Sequence, residues 1–189
     1  MILTPTDRHL TEALLDPRWK RRLLAEGDSW FSLGGATSNL LMCLDRADTL
    51  IVNCAAPGDT LGDCAAIGGD TFVELLAPTD GIPEWDAVLL SAGGNDIARR
   101  CGECIRHRLV HGDLIYSGHI DRDALTELLS DIESHLIRFL RICQAGQPGV
   151  PVICHTYDYP PVQRRWLPWS FGPWIAPVLR DANVPREAW

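Results

Sequence analysis

The chain alternates short apolar runs with amphipathic stretches, and that alternation sets the expected elements. Apolar runs at Leu23–Glu26, Thr49–Ala55, Ala87–Ser91 and Val150–Cys154 read as strands. The second is apolar almost throughout, as a strand buried on both faces should be. Segments of helical period lie between them. Residues 7–22 place Leu10, Leu14 and Leu15 on one helical face, with Pro17 as an interruption. Residues 36–48 predict a first long helix with Leu40, Leu41 and Leu44 inward, and residues 60–76 a second, broken at Gly68-Gly69. The clearest helix is 121–145, where Leu125, Leu128, Leu129, Ile132, Leu136, Leu140 and Cys143 recur at i, i+3 and i+4. Asp121 suits its cap, and Gly146 to Pro151 ends it. Residues 97–120 read as irregular, and the Pro- and Trp-rich tail from 161 to 189 holds no further strand. Four strands alternating with helices imply a parallel sheet with right-handed crossovers. The expected fold is α/β, a three-layer α/β/α sandwich with a flavodoxin-like sheet, in a single domain over residues 1–189.

In such sheets ligands bind outside the carboxyl ends of the strands. Three of those ends carry small polar residues here: Gly27-Asp28-Ser29, Gly58-Asp59-Thr60 and Gly93-Gly94-Asn95-Asp96. Each has a plain structural alternative. Ser29 can be a helix cap, Gly58 an ordinary turn glycine beside Pro57, and Asn95 a turn residue after two glycines. Asp28 reads as structural, holding its turn.

Taken in order, the three blocks resemble the first three signatures of the SGNH (GDSL-type) hydrolases, over residues 27–96. The resemblance implies that Ser29 is a nucleophile. It also implies an oxyanion hole from the Ser29 N–H, the Gly58 N–H and the Asn95 side-chain amide. Acyl transfer builds negative charge on a carbonyl oxygen, and each preorganised donor there is worth about 3–4 kcal/mol. The function so implied is a serine esterase or lipase-like hydrolase of a small-molecule ester, through a Ser29 acyl-enzyme that needs no metal or organic cofactor. The family's fourth signature, an Asp-x-x-His that supplies the base, does not occur after Asn95. The chain reads as stopping before the family's last strand and that motif. The alternative is an inactive SGNH-fold binding module without a general base.

Six histidines are present. His9 and His135 fall on helix faces away from the strand ends, whereas His155 ends the fourth strand on the correct edge, three residues before Asp158. It is the in-chain candidate for the base, with lining of the substrate pocket beside Tyr157 and Tyr159 as the other role. Cys101, Cys104, His107 and His111 have a spacing that can bind zinc, although paired ligands in structural sites stand further apart; free thiols and polar histidines on an insertion are the alternative. Trp166, Trp169, Phe171 and Trp174 either cover the site or pack the tail onto the sheet.

Net charge narrows the partners. At −8 the chain lacks the basic character of a phosphate-binding surface, so no nucleic-acid partner is expected. No run reaches membrane-spanning length. The N-terminus has interleaved charges and no apolar core, and an odd count of 7 cysteines suits reduced thiols, so a cytoplasmic location is expected.

Overall fold

A computed structural model of the chain describes residues 1–32, 39–66, 71–77, 84–106, 116–155, 175–184 and 186. In chain order the elements are β1 (Ile2–Leu3), α1 (Leu10–Leu15), β2 (Arg21–Gly27), α2 (Ser29–Ser32), α3 (Leu40–Leu44), β3 (Thr49–Asn53), α4 (Leu61–Cys64) and α5 (Thr71–Leu76). They continue with β4 (Ala87–Ser91), α6 (Gly94–Arg100), a 3-10 turn at Tyr116–His119, α7 (Arg122–Gly146), β5 (Val152–Cys154) and α8 (Ile175–Asp181). The chain divides into two compact units, one of residues 1–95 and 134–156, the other of residues 96–133 and 157–189.

The first unit holds the whole sheet. Its five strands run in the order β1-β3-β2-β4-β5, and every pairing is parallel. The four expected strands are all present, in the flavodoxin-like arrangement. The fifth goes beyond the four that the apolar runs predict: two residues at the N-terminus pair Ile2 with Ile51 and Leu3 with Val52 at the β3 edge. Two residues are too short for any period-2 signal to register.

Register sorts the side chains to two faces. Ala25, Ile51 and Leu89 share one face and pack against Phe31 of α2 and Leu41 of α3. Leu24, Val52 and Val88 point the other way and are fully buried. The helices beyond them meet through Phe72 of α5 and Phe139 of α7, both fully buried and stacked at 5.4 Å between ring centroids. Helices on both faces of a parallel sheet give the three layers.

Several helices are shorter than their periodicity predicts. Asp16, before Pro17, is extended at ψ 117°, so α1 stops at Leu15. The chain then enters β2 two residues earlier than expected, at Arg21. Asn39 caps α3 by accepting from Met42 N, and the helix ends at Leu44, which is exposed rather than inward. The segment 60–76 is two helices, the first held by a reciprocal Thr60–Asp63 capping box. Gly34-Gly35 and Gly68-Gly69 lie outside the described residues. Residues 97–100, expected to be irregular, are the end of α6, which continues to Arg100. Asp121 caps α7 as anticipated, its Oδ1 accepting from the Asp123 and Ala124 amides.

The second unit has its own small core, in which Leu179, Ala182 and Val184 are buried with Ile105 and Ile175 against them. An antiparallel bridge joins Ile105 to Ile120, and Arg100 spans Glu103 and Asp131 with its guanidinium. The tail thus carries helix α8.

Candidate active site

Strand adjacency decides what meets at the carboxyl edge. With β3, β2, β4 and β5 side by side, the segments after them carry Gly58, Ser29, Asn95 and His155 in one row. All four belong to the first unit.

The turn after β2 is built by Gly27 and Asp28. Gly27 has φ 143°, and a Cβ there would stand 2.1 Å from the Ser91 carbonyl oxygen. Only glycine allows β2 to pass that close to β4 while turning. Asp28 is 2% exposed. Its N–H donates to the Ser91 carbonyl at 2.8 Å, and its carbonyl accepts from Phe31 N, Ser32 N and Ser32 Oγ. Its Oδ1 accepts from Trp30 N at 3.1 Å and from Ser91 Oγ at 2.7 Å. Asp28 therefore caps α2. Ser29, the first residue of α2, is relieved of the capping role, is half-buried, and makes no side-chain hydrogen bond among the described residues.

The turn after β3 is an extension of the sheet. Cys54 N donates to Ala25 O and Ala56 N to Gly27 O, carrying the chain alongside β2 beyond the strand proper. Gly58 then turns with φ 91°. Asn53 pins the same region to α2, its Nδ2 donating to Phe31 O at 3.0 Å. Asn95 sits at the start of α6, and its Nδ2 donates to Asp59 O at 2.8 Å. An amide NH₂ has two donors, and this bond uses one of them. The second and third motifs are thus cross-linked beside Gly58.

His155 follows β5 directly. Its Nε2 lies 2.7 Å from Ser91 Oγ, and its ring centroid lies 6.0 Å from those of both Trp30 and Phe31. The imidazole therefore flanks the two residues that follow Ser29. Ser91, with no exposed surface, bridges Asp28 and His155. In the sequence this serine is marked only as the polar last residue of an apolar strand, which carries no signal of its bridging role. Glu26 is buried in the same turn, and its Oε1 accepts from Gly27 N at 2.8 Å.

His135 lies against Gly62 of α4, and His9 is exposed beside Glu12. Cys101 and Cys104 belong to the second unit, where burial raises both thiols above their ordinary value. Their proposed partners His107 and His111, like Tyr157, Asp158, Tyr159 and the tail aromatics 166–174, lie outside the described residues. Among the described residues no group of three or more His, Cys, Asp and Glu side chains could hold a metal ion. Nor is any described helix long and apolar enough to cross a membrane.

No protein-family model and no curated protein matches the chain. Among solved structures it is similar to the lipase/acylhydrolase from Enterococcus faecalis, at 16% identity and a TM-score of 0.27, over 70% of this chain and 75% of that one. The fold assignment rests instead on the chain's own strand order and parallel pairing.

Proposed function

We propose that the chain is a serine hydrolase of the SGNH type that cleaves a small-molecule ester. Ser29 Oγ attacks the ester carbonyl, and the oxyanion is held by the Ser29 N–H, the Gly58 N–H and the Asn95 amide. The observation that carries this reading is the meeting of the three motifs at adjacent strand ends, where Asn95 bonds to the residue after Gly58. The capping of α2 by Asp28 supports it further, since Ser29 is left for another task. A serine hydroxyl is a weak nucleophile until a base takes its proton, so the reading requires a base within reach.

Intact-mass analysis after fluorophosphonate treatment tests it. The wild-type chain is expected to gain one adduct, and Ser29→Ala none. A wild-type chain that stays unlabelled would favour the non-catalytic binding module, which keeps the fold without the chemistry.

A further inference from the structure

Asp28, Ser91 and His155 form a hydrogen-bonded chain whose direction can be worked out from proton counting. A serine hydroxyl has one proton to give. Ser91 gives it to Asp28 Oδ1, at 2.7 Å. At the other contact, also 2.7 Å, Ser91 Oγ can then only accept, so the hydrogen belongs to His155 Nε2. In the neutral ring the lone pair is consequently on Nδ1. Asp28 and Ser91 are almost wholly buried, so neither competes with water for this arrangement. Trp30 and Phe31, each 6.0 Å from the imidazole centroid, hold the ring beside the turn that carries Ser29.

We propose that Asp28 and Ser91 are positioning residues that fix His155 in its Nε2–H form, so that Nδ1 is the proton acceptor for Ser29. This rests on the serine-hydrolase reading, which needs a base within reach of Ser29. In the first step the Ser29 Oγ–H proton passes to Nδ1 as the Oγ–C bond forms and the carbonyl π pair moves to oxygen. The pair returns as the ester C–O bond breaks, and the Nδ1 proton goes to the leaving alkoxide. Water repeats the sequence on the acyl-enzyme, its proton passing through Nδ1 to Ser29 and its oxygen leaving in the acid. Throughout, Nε2–H donates to Ser91 in both the neutral and the charged ring. The bridge to Asp28 is therefore never broken, and that carboxylate complements the transient imidazolium through one hydroxyl.

The test pairs a structural readout with a chemical one on the full chain. Nitrogen-15 spectra of the imidazoles, taken where the ring is neutral and assigned by difference from His155→Gln, should show hydrogen on Nε2. In Ser91→Ala that preference should be lost. The rate of fluorophosphonate labelling at Ser29 should fall by about 10²–10⁴ in His155→Gln, and by at least about tenfold in Ser91→Ala. A wild-type ring with its hydrogen on Nδ1 overturns the proposal whatever the labelling does. Labelling of His155→Gln at the wild-type rate, with the adduct still on Ser29, overturns it but leaves the hydrolase reading intact. No adduct on the wild type overturns both. Should Ser91→Ala fail to fold, the wild-type tautomer and the His155→Gln rate decide.

Discussion

Asp28 makes hydrogen bonds in three directions, with the Ser91 backbone, with the amides and a hydroxyl of α2, and with Ser91 Oγ. These bonds explain why the residue before Ser29 is an aspartate: a short carboxylate can cap the helix and reach β4 at once. The residue before it is fixed by space. At Gly27 any side chain meets the β4 backbone, which cannot yield as a flexible side chain can, and φ 143° is strained for an L residue. Gly27→Ala is expected to destabilise the protein by more than about 3 kcal/mol, because strain and a backbone clash add. Denaturant titration should show a lower midpoint with an unchanged slope; a loss under 1 kcal/mol, roughly the cost of an ordinary surface change, would refute the argument.

The elements around the site are short, and they are held from outside rather than by their own propensity. An isolated helix of four residues has no stability in water. α2 persists because Asp28 caps it and Asn53 Nδ2 binds its Phe31 carbonyl, while Phe31 itself enters the core with Ala25, Ile51 and Leu89. On the other face of the sheet the burden falls on aromatic packing. Trp85, just ahead of β4, donates Nε1–H to Leu75 O at 2.8 Å, and its N–H donates to Gln147 Oε1 at 2.9 Å. Phe72 and Phe139 complete that layer. Phe139→Ala should cost about 3–5 kcal/mol, the usual range for a fully buried phenylalanine. Thermal unfolding followed by circular dichroism would read this as a drop of roughly 6–20 °C.

At the scale of the whole molecule, thiol chemistry follows burial. Cys64, Cys104 and Cys143 are buried, whereas Cys43 and Cys154 are exposed. Burial, and then the negative charge of Cys154, pushes Cys143 up to about 12 from an ordinary 9.0. Burial raises Cys64 still more strongly, with the charges of Glu26, Asp59, Asp28 and Asp63 adding to it. Unfolded, these thiols ionise near pH 9, while folded they stay neutral, so above that pH the folded state holds more protons. Stability linked to them is complete below about pH 9 and falls as pH rises from 9 towards 12. Chemical denaturation across that window should show the decline, and a flat profile would contradict it. In native protein near neutral pH, a maleimide followed by mass mapping should modify Cys43 first, because burial also raises Cys154.

Much of the architecture is determined by the sequence alone, because it is local. Four apolar runs, their helical spacers and the residues that punctuate them are enough for a parallel α/β fold, and Asp121 announces the start of α7 through ordinary capping chemistry. The three motifs, too, are legible as polar residues at strand ends. What is long-range is decided only by tertiary structure. Strand order puts β5 next to β4, and nothing near Cys154 encodes that pairing. From it follows the bond between His155 and Ser91, two residues 64 positions apart. The helix ends depend on single caps such as Asn39, which outweigh the periodicity of the residues around them. Ser91 shows the reason most plainly. In the sequence it is the unremarked end of a strand, and only in the folded chain does its single proton link a buried carboxylate to an imidazole.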